Sequence, residues 1–366
     1  MSISIHGTNG ITFNDGSTQN TRPSVGFQNR IINGDMRIDQ RNAGASVTPA
    51  NSFTLDRWIV ENSQASKLTV QQNAGSVTPP IGFSQYLGVT STATTTVSAG
   101  DYFMLEQRIE GYNVADLNWG TANAQPVTIS FWVRSSLTGT FGGSVMNGLN
   151  ARAYPFTYTI SVAATWEYKT ITIAGDTSGT WNTTNGNGMF LNFGLGVGST
   201  YSGTAGAWTA GNLFSATGAV SVVGTNTATF YITGVQLEQG STATEFERRP
   251  IGTELALCQR YCPAYIYSSS ASALETIGFV RGGSSATVGN GHFYFPVTTR
   301  VPATGIQVTG TYAVSGYAFT TVAFGGSSTQ QGSITLSGGS GLSNSSVYEL
   351  QSSVAGNKII WTGCEL

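Results

Sequence analysis

Short runs of β-favouring residues, each closed by a cluster of Gly, Asn, Ser or Thr, recur along most of this 366-residue chain. That punctuation limits what the backbone can build. The runs follow the two-residue period of half-buried strands, and no long stretch carries helical periodicity. The segment from Thr128 to Arg134 is the clearest, with Ile129, Phe131 and Val133 on one face. Strands are expected over 67–71, 102–109, 127–134, 154–162, 168–173, 189–197 and 229–237. The fold class is therefore all-β, with an antiparallel β-sandwich over residues 28–250.

The flanks read differently. Residues 1–27 form an arm: Ile11 and Phe13 alternate in a short strand, and Asp15-Gly16 is a turn signal. The arm has too few apolar residues for a core of its own, so it needs a partner surface or symmetry mates. One helix is expected at 252–261, with Thr253 as N-cap and Pro263 as its stop. It forms a linker, 251–262, before a smaller β-domain, 263–366. In that domain strands are expected at 277–280, 292–297, 305–308, 318–324, 333–336, 347–351 and 358–361.

Charged residues are 9% of the chain, against roughly 25% in ordinary soluble domains, while 47 glycines and many hydroxyl and amide side chains fill the balance. A net charge of −2 argues against nucleic-acid binding, which needs clustered Lys and Arg. Three lysines, Lys67, Lys169 and Lys358, make no polybasic membrane patch. No apolar run approaches the roughly 18 residues of a membrane span, and the N-terminus lacks signal-peptide features, so synthesis in a cytoplasm is expected. Cys258, Cys262 and Cys364 form no C-x-x-C motif and read as small buried hydrophobes.

The scarce charges gather at two places. Arg30, Asp35, Arg37, Asp56 and Arg57 lie at the start of the sandwich, and Glu247, Arg248 and Arg249 at its end. Either the two ends meet and pair through Arg–carboxylate contacts, or they are two solvated segments.

No nucleophile elbow, zinc-protease motif or phosphate loop is present, so no enzymatic activity is expected. Glu106 and Glu110 are close enough in sequence to be a glycosidase pair, but their alternating setting reads as the polar side of a strand. His292 reads as a strand or turn residue. Trp119, Trp166, Trp181 and Trp208 fall in turn-rich, amide-rich stretches, and Tyr201 lies in another. Such rings either pack in the core or offer platforms on which the C–H face of a sugar stacks beside hydroxyl and amide partners.

The stretch Asn29-Arg30-Ile31-Ile32-Asn33-Gly34-Asp35-Met36-Arg37, followed by Leu55-Asp56-Arg57-Trp58, resembles the opening of a β-sandwich domain common in bacteriophage tail-fibre proteins. Gln107-Arg108-Ile109-Glu110 and Trp166-Glu167-Tyr168-Lys169 are similar to later parts of that domain. Its close resembles Ile232-Thr233-Gly234-Val235-Gln236-Leu237-Glu238, running on through Phe246-Glu247-Arg248-Arg249-Pro250. The arm and the run Phe295-Pro296-Val297 are similar to the first repeats and the terminal β-domains of such fibres.

The resemblance implies a jelly-roll domain like carbohydrate-binding modules, in a virion protein of a phage tail that forms a homotrimer. Ile11, Phe13 and Asp15 of the arm would then serve attachment to other tail proteins and trimer contacts. The partner at the far end would be host surface polysaccharide or lipopolysaccharide, bound without covalent chemistry. Related modules hold a structural calcium between the opening Asn-Gly-acid turn and an Asp on the last strand. Here Asp35 stands in the turn, and the last strand reads Thr233-Gly234. The alternative is a structural or decoration protein of tail or capsid with no receptor of its own. A glycan-degrading spike is disfavoured by the absence of a long repeat region.

Overall fold

The computed structural model describes residues 27–267, 275–314, 317–344, 346–352 and 354–366, with three short strands nearer the N-terminus. Those three, β1 (Ser4–His6), β2 (Gly10–Thr12) and β3 (Thr18–Gln19), pair antiparallel in that order. Ile11 stands in β2 opposite Ile5 and Gln19. Phe13 and Asp15 lie outside the described residues.

Alternating apolar residues then lay down two facing sheets. The strands are β4 (Ser52–Phe53), β5 (Trp58–Asn62), β6 (Leu68–Gln72), β7 (Leu87–Ser91), β8 (Tyr102–Glu110), β9 (Val127–Ser135) and β10 (Gly139–Asn147). They continue with β11 (Arg152–Ile160), β12 (Glu167–Ile173), β13 (Asn187–Val197), β14 (Ser202–Gly203), β15 (Thr209–Ala210), β16 (Ser215–Ala216) and β17 (Thr229–Gln239). One sheet has the order β15-β11-β10-β13-β8-β5-β4 and the other β12-β9-β17-β7-β6. Every pairing within the two is antiparallel. Trp58, Phe103, Phe131, Phe141, Phe193 and Phe230 fill the space between them as one apolar core. Burial of such rings is the main term holding the sandwich together.

The expected strands appear within two or three residues of their ends, and β5, β7, β10 and the two-residue strands β4, β14, β15 and β16 add to them. In β10 the glycines Gly142 and Gly143 obscure the pattern. They are there for clearance: a Cβ at Gly143 would overlap the Asn192 carbonyl oxygen, and one at Gly142 the Ser215 hydroxyl.

The helix is α1, Ile251–Gln259. It begins one residue earlier than the sequence reading placed it, and its N-cap is Pro250 rather than Thr253. Pro250, at φ −53°, has its dihedral pre-set by the ring, and the first turn carries Glu254 where the helix dipole favours an acid. Cys258 and Tyr261 pack on Ile32 and Ile38 of the opening segment, so the helix rests against the sandwich.

The terminal domain has two sheets. Its strands are β18 (Ala264–Ile266), β19 (Glu275–Gly282), β20 (Val288–Tyr294), β21 (Gly305–Thr309), β22 (Ala313–Val314), β23 (Tyr317–Ala318), β24 (Thr321–Ser327), β25 (Gln331–Ser337), β26 (Val347–Ser352) and β27 (Lys358–Thr362). The sheets run β18-β27-β21 and β23-β22-β26-β19-β20-β25-β24. The strand expected at 292–297 is β20, which starts at Val288 and ends at Tyr294, where Phe295 turns into the core, and the one expected at 318–324 is broken between β23 and β24, where Phe319 is buried. Trp361 is fully buried at the centre, ringed by Tyr265, Phe293 and Phe295 at 5.3–5.6 Å between centroids.

Polar groups dock this domain on the sandwich. Glu365 takes Arg41 at 2.7 Å and also Arg57, and Lys358 donates to the carbonyls of Gln40 and Arg41. Arg300 donates to the carbonyls of Cys364 and Glu365, and to that of Asn185.

Candidate functional site

The two ends of the sandwich meet. Asn29 donates to the Val235 carbonyl at 3.1 Å and accepts from the Leu237 amide at 3.1 Å, while the Val235 amide reaches Gly34 O at 2.9 Å. Asn33, buried in left-handed conformation at φ 58°, receives the Trp58 indole N–H on its carbonyl and bonds Ile38 and Asp56 through its side chain. Left-handed backbone suits Asn, whose short amide bonds locally.

The junction charges mostly bind backbone or a neighbour at the same end. Arg249 donates to the carbonyls of Asn29 and Ile31, and Glu247 accepts the Asn29 amide at 2.8 Å. Arg37 donates to Arg249 O at 2.9 Å. Among the described residues, the ion pairs that the charges of the two ends make with one another are Arg37–Asp35, Arg41–Asp56, Arg249–Glu254 and Arg249–Glu247, each within one end, while Arg30 pairs with Asp116 beyond both. The ends are thus joined by charge-to-backbone hydrogen bonds rather than by the expected ion pairs, because the charged side chains reach the backbone of Asn29, Ile31 and Arg249 while Asn29 and Gly34 bond β17. Arg57 goes to Glu365 of the terminal domain, and Arg248 lies over Phe83. Asp35 has its Oδ2 at 2.5 Å from Arg37 Nε, a guanidinium where a cation would sit. Among the described residues no group of three His, Cys, Asp or Glu side chains could hold a metal ion.

The aromatic candidates fall in three separate places. Trp119, Trp181 and Trp208 pack edge to face, with centroids 4.6, 5.2 and 5.6 Å apart, and Tyr154 closes against Trp208. Their indole N–H groups donate to the carbonyls of Gln125, Ser178 and Ala174. Trp119 is buried, whereas Trp181 and Trp208 keep part of their surface in solvent. Trp166 lies against Tyr86 on the other sheet and donates to Thr78 O. Tyr201 stacks on Phe214 at 5.1 Å and meets Tyr102 edge-on, over the outer face of the seven-stranded sheet.

The two β8 carboxylates are both committed. Glu106 pairs with Arg108 at 2.6 Å, and burial pushes its pKa up to about 7 against that partner. Glu110 accepts from Nε and Nη2 of Arg260 and from the Tyr261 hydroxyl. Burial opposes its charge most strongly, yet those hydrogen bonds together hold it below the usual carboxylate range.

One further surface lies outside the expected site residues. In the larger terminal sheet, Val280, Phe293, Ile334 and Leu350 point into the core, so the alternate residues face out. On that outer face Phe279 is 60% exposed and Tyr294 76% exposed. His292 stands directly across from Phe279 on one side and Ser333 on the other. A depression of about 390 Å³ includes Arg281, Asn290, His292 and Asn344 in its lining. A second, of about 240 Å³, is lined by His292, Ser327, Ser328, Gln331 and Ser333, with Gly326 and Gly332. The alternation in Asn290-Gly291-His292-Phe293-Tyr294 carried the signal, but which face is left open depends on strand order.

No protein-family model matches the chain, and no curated protein matches it. Solved structures do. The enzymatically active domain of a tailspike protein from bacteriophage CBA120 shares 14% identity over 58% of this chain, at a TM-score of 0.32. The match spans only 21% of that longer chain. A putative sugar-binding protein from Bacteroides thetaiotaomicron shares 12% identity over 58% of this chain and 100% of its own, at a TM-score of 0.36. A family 11 carbohydrate-binding module from Clostridium thermocellum, in complex with a mixed-linked tetrasaccharide, shares 12% identity over 56% of this chain and 99% of its own, at a TM-score of 0.27. Likenesses this distant assign no ligand or activity here; the sandwich is defined by its own strand order.

Proposed function

We propose that this protein is a bacteriophage tail-fibre protein that forms a homotrimer, attaches to the tail through its N-terminal arm and binds a host surface glycan without covalent chemistry. The observation that carries the reading is the assembly of the fibre-like motifs. The opening run Asn29–Arg37 and the closing run Ile232–Pro250 are far apart in sequence, and they lock together through Asn29, Gly34, Glu247 and Arg249. A charge-poor exterior of hydroxyl, amide and aromatic groups supports a sugar as the ligand, because such groups match its hydroxyls and C–H faces. The reading includes no turnover of the bound glycan.

The inward-turned tryptophan cluster favours a second reading, in which the sandwich is purely structural and the protein decorates tail or capsid. The two readings part on location and mass. Gold-labelled antibody against the chain should mark the tail tip of intact virions, and light scattering should give three times the 38.3 kDa chain mass. Label spread over the head supports the second reading, and a monomer mass removes the trimer.

A further inference from the structure

We infer that the outer face of the larger terminal sheet is the glycan site, with Phe279 and Tyr294 as stacking platforms on either side of His292. The inference rests on the glycan-binding reading above and says where the sugar lies. The Trp181 and Trp208 rings contact one another and their N–H groups are satisfied internally, so they offer a sugar little beyond an edge. Phe279 and Tyr294 instead project from neighbouring strands with most of their surface in solvent.

Register fixes their spacing. Phe279 and His292 are direct partners, and Tyr294 follows His292 by two residues on the same face, a step of about 7 Å along the strand. The rings therefore frame the imidazole within the length of a short oligosaccharide. On either side of His292 the surface dips into the depressions of about 390 and 240 Å³, the larger of them within the size range of small-ligand sites. Asn290, Gln331 and Ser333 supply amide and hydroxyl partners there, and His292 can donate as well as accept. Glu349, the carboxylate beside Phe279, is already engaged by Thr276 and Gln351. A dry protein partner would leave this lining of hydroxyls and amides to be matched one by one, whereas a sugar brings hydroxyls and C–H faces together.

The test uses the full chain on an array of purified bacterial lipopolysaccharide O-polysaccharides and capsular polysaccharides. Wild type should bind at least one. Phe279→Ala and Tyr294→Ala should each lower the apparent affinity about tenfold, and the double variant should lose binding. Phe279→Tyr should retain it. All variants should keep the wild-type melting temperature, since the rings are exposed. Undiminished binding by a folded double variant overturns the site and leaves the glycan reading standing. Undiminished binding with a drop in oligomeric mass makes the face a contact between copies and also overturns it. Failure of wild type to bind any polysaccharide on the array overturns the inference together with the glycan reading.

Discussion

At Gly34 the opening turn passes so close to β17 that a Cβ would overlap the Val235 carbonyl oxygen. The Val235 amide returns a hydrogen bond to Gly34 O, and the β17–β9 register shifts between Thr233 and Gln236 to allow it. Gly34→Ala should therefore push the opening segment off the last strand and cost more than about 2 kcal/mol in denaturant unfolding. Glu106 makes a pH-dependent prediction. Its folded pKa, about 7, lies above the ordinary 4.5, so the folded state holds the extra proton. Stability from this group is present below the ordinary value and falls as pH rises through 7. Glu106→Gln should remove that slope, and its stability relative to wild type should improve between pH 5 and pH 8, by on the order of 3 kcal/mol at most. Equal differences at both pH values would show that Arg108 keeps the carboxylate charged throughout.

Among the elements, the seven-stranded sheet depends on the tryptophan cluster at its β11–β15 edge. Trp119 bridges the turn region to the main core, touching both Trp181 and Trp208. Trp119→Ala should lower unfolding free energy by about 3–5 kcal/mol, as deletion of a buried ring does. Trp181→Ala should cost less, because its ring is already part-exposed. The strands with strict alternation, such as β9, were legible in the sequence because one face of each is buried. β10 was not, since its glycines answer to close approach by Asn192 and Ser215, neighbours known only after folding. The turn-rich tryptophans carried both a core and a surface reading, and only their mutual contacts place them inward. Phe279 and Tyr294 illustrate the complementary limit: alternation puts Tyr294 on the face of His292, but only the β19–β20 register brings Phe279 to that face, and only strand order leaves it open.

For the whole molecule, the few charges make many contacts, and these hold the terminal sheets on the sandwich beside the apolar packing of Leu366 on Ile32, Ile38, Cys258 and Tyr261. Glu365 with Arg41 and Arg57, and Lys358 with the Gln40 and Arg41 carbonyls, fix the terminal domain against the opening segment. Loss of one partner from so buried a set leaves uncompensated charge, so Glu365→Ala should separate domain unfolding into two calorimetric transitions where wild type shows one. The outer face of the larger terminal sheet lies at the other end of the sequence from the proposed attachment arm. The central claim is that the partner is a bacterial surface glycan. The most direct measurement is retention of the fluorescently labelled full chain by host cells, in competition with the cells' own purified surface polysaccharide. The account predicts saturable retention that the soluble polysaccharide abolishes. Retention that the polysaccharide leaves untouched, or none at micromolar protein, would contradict it.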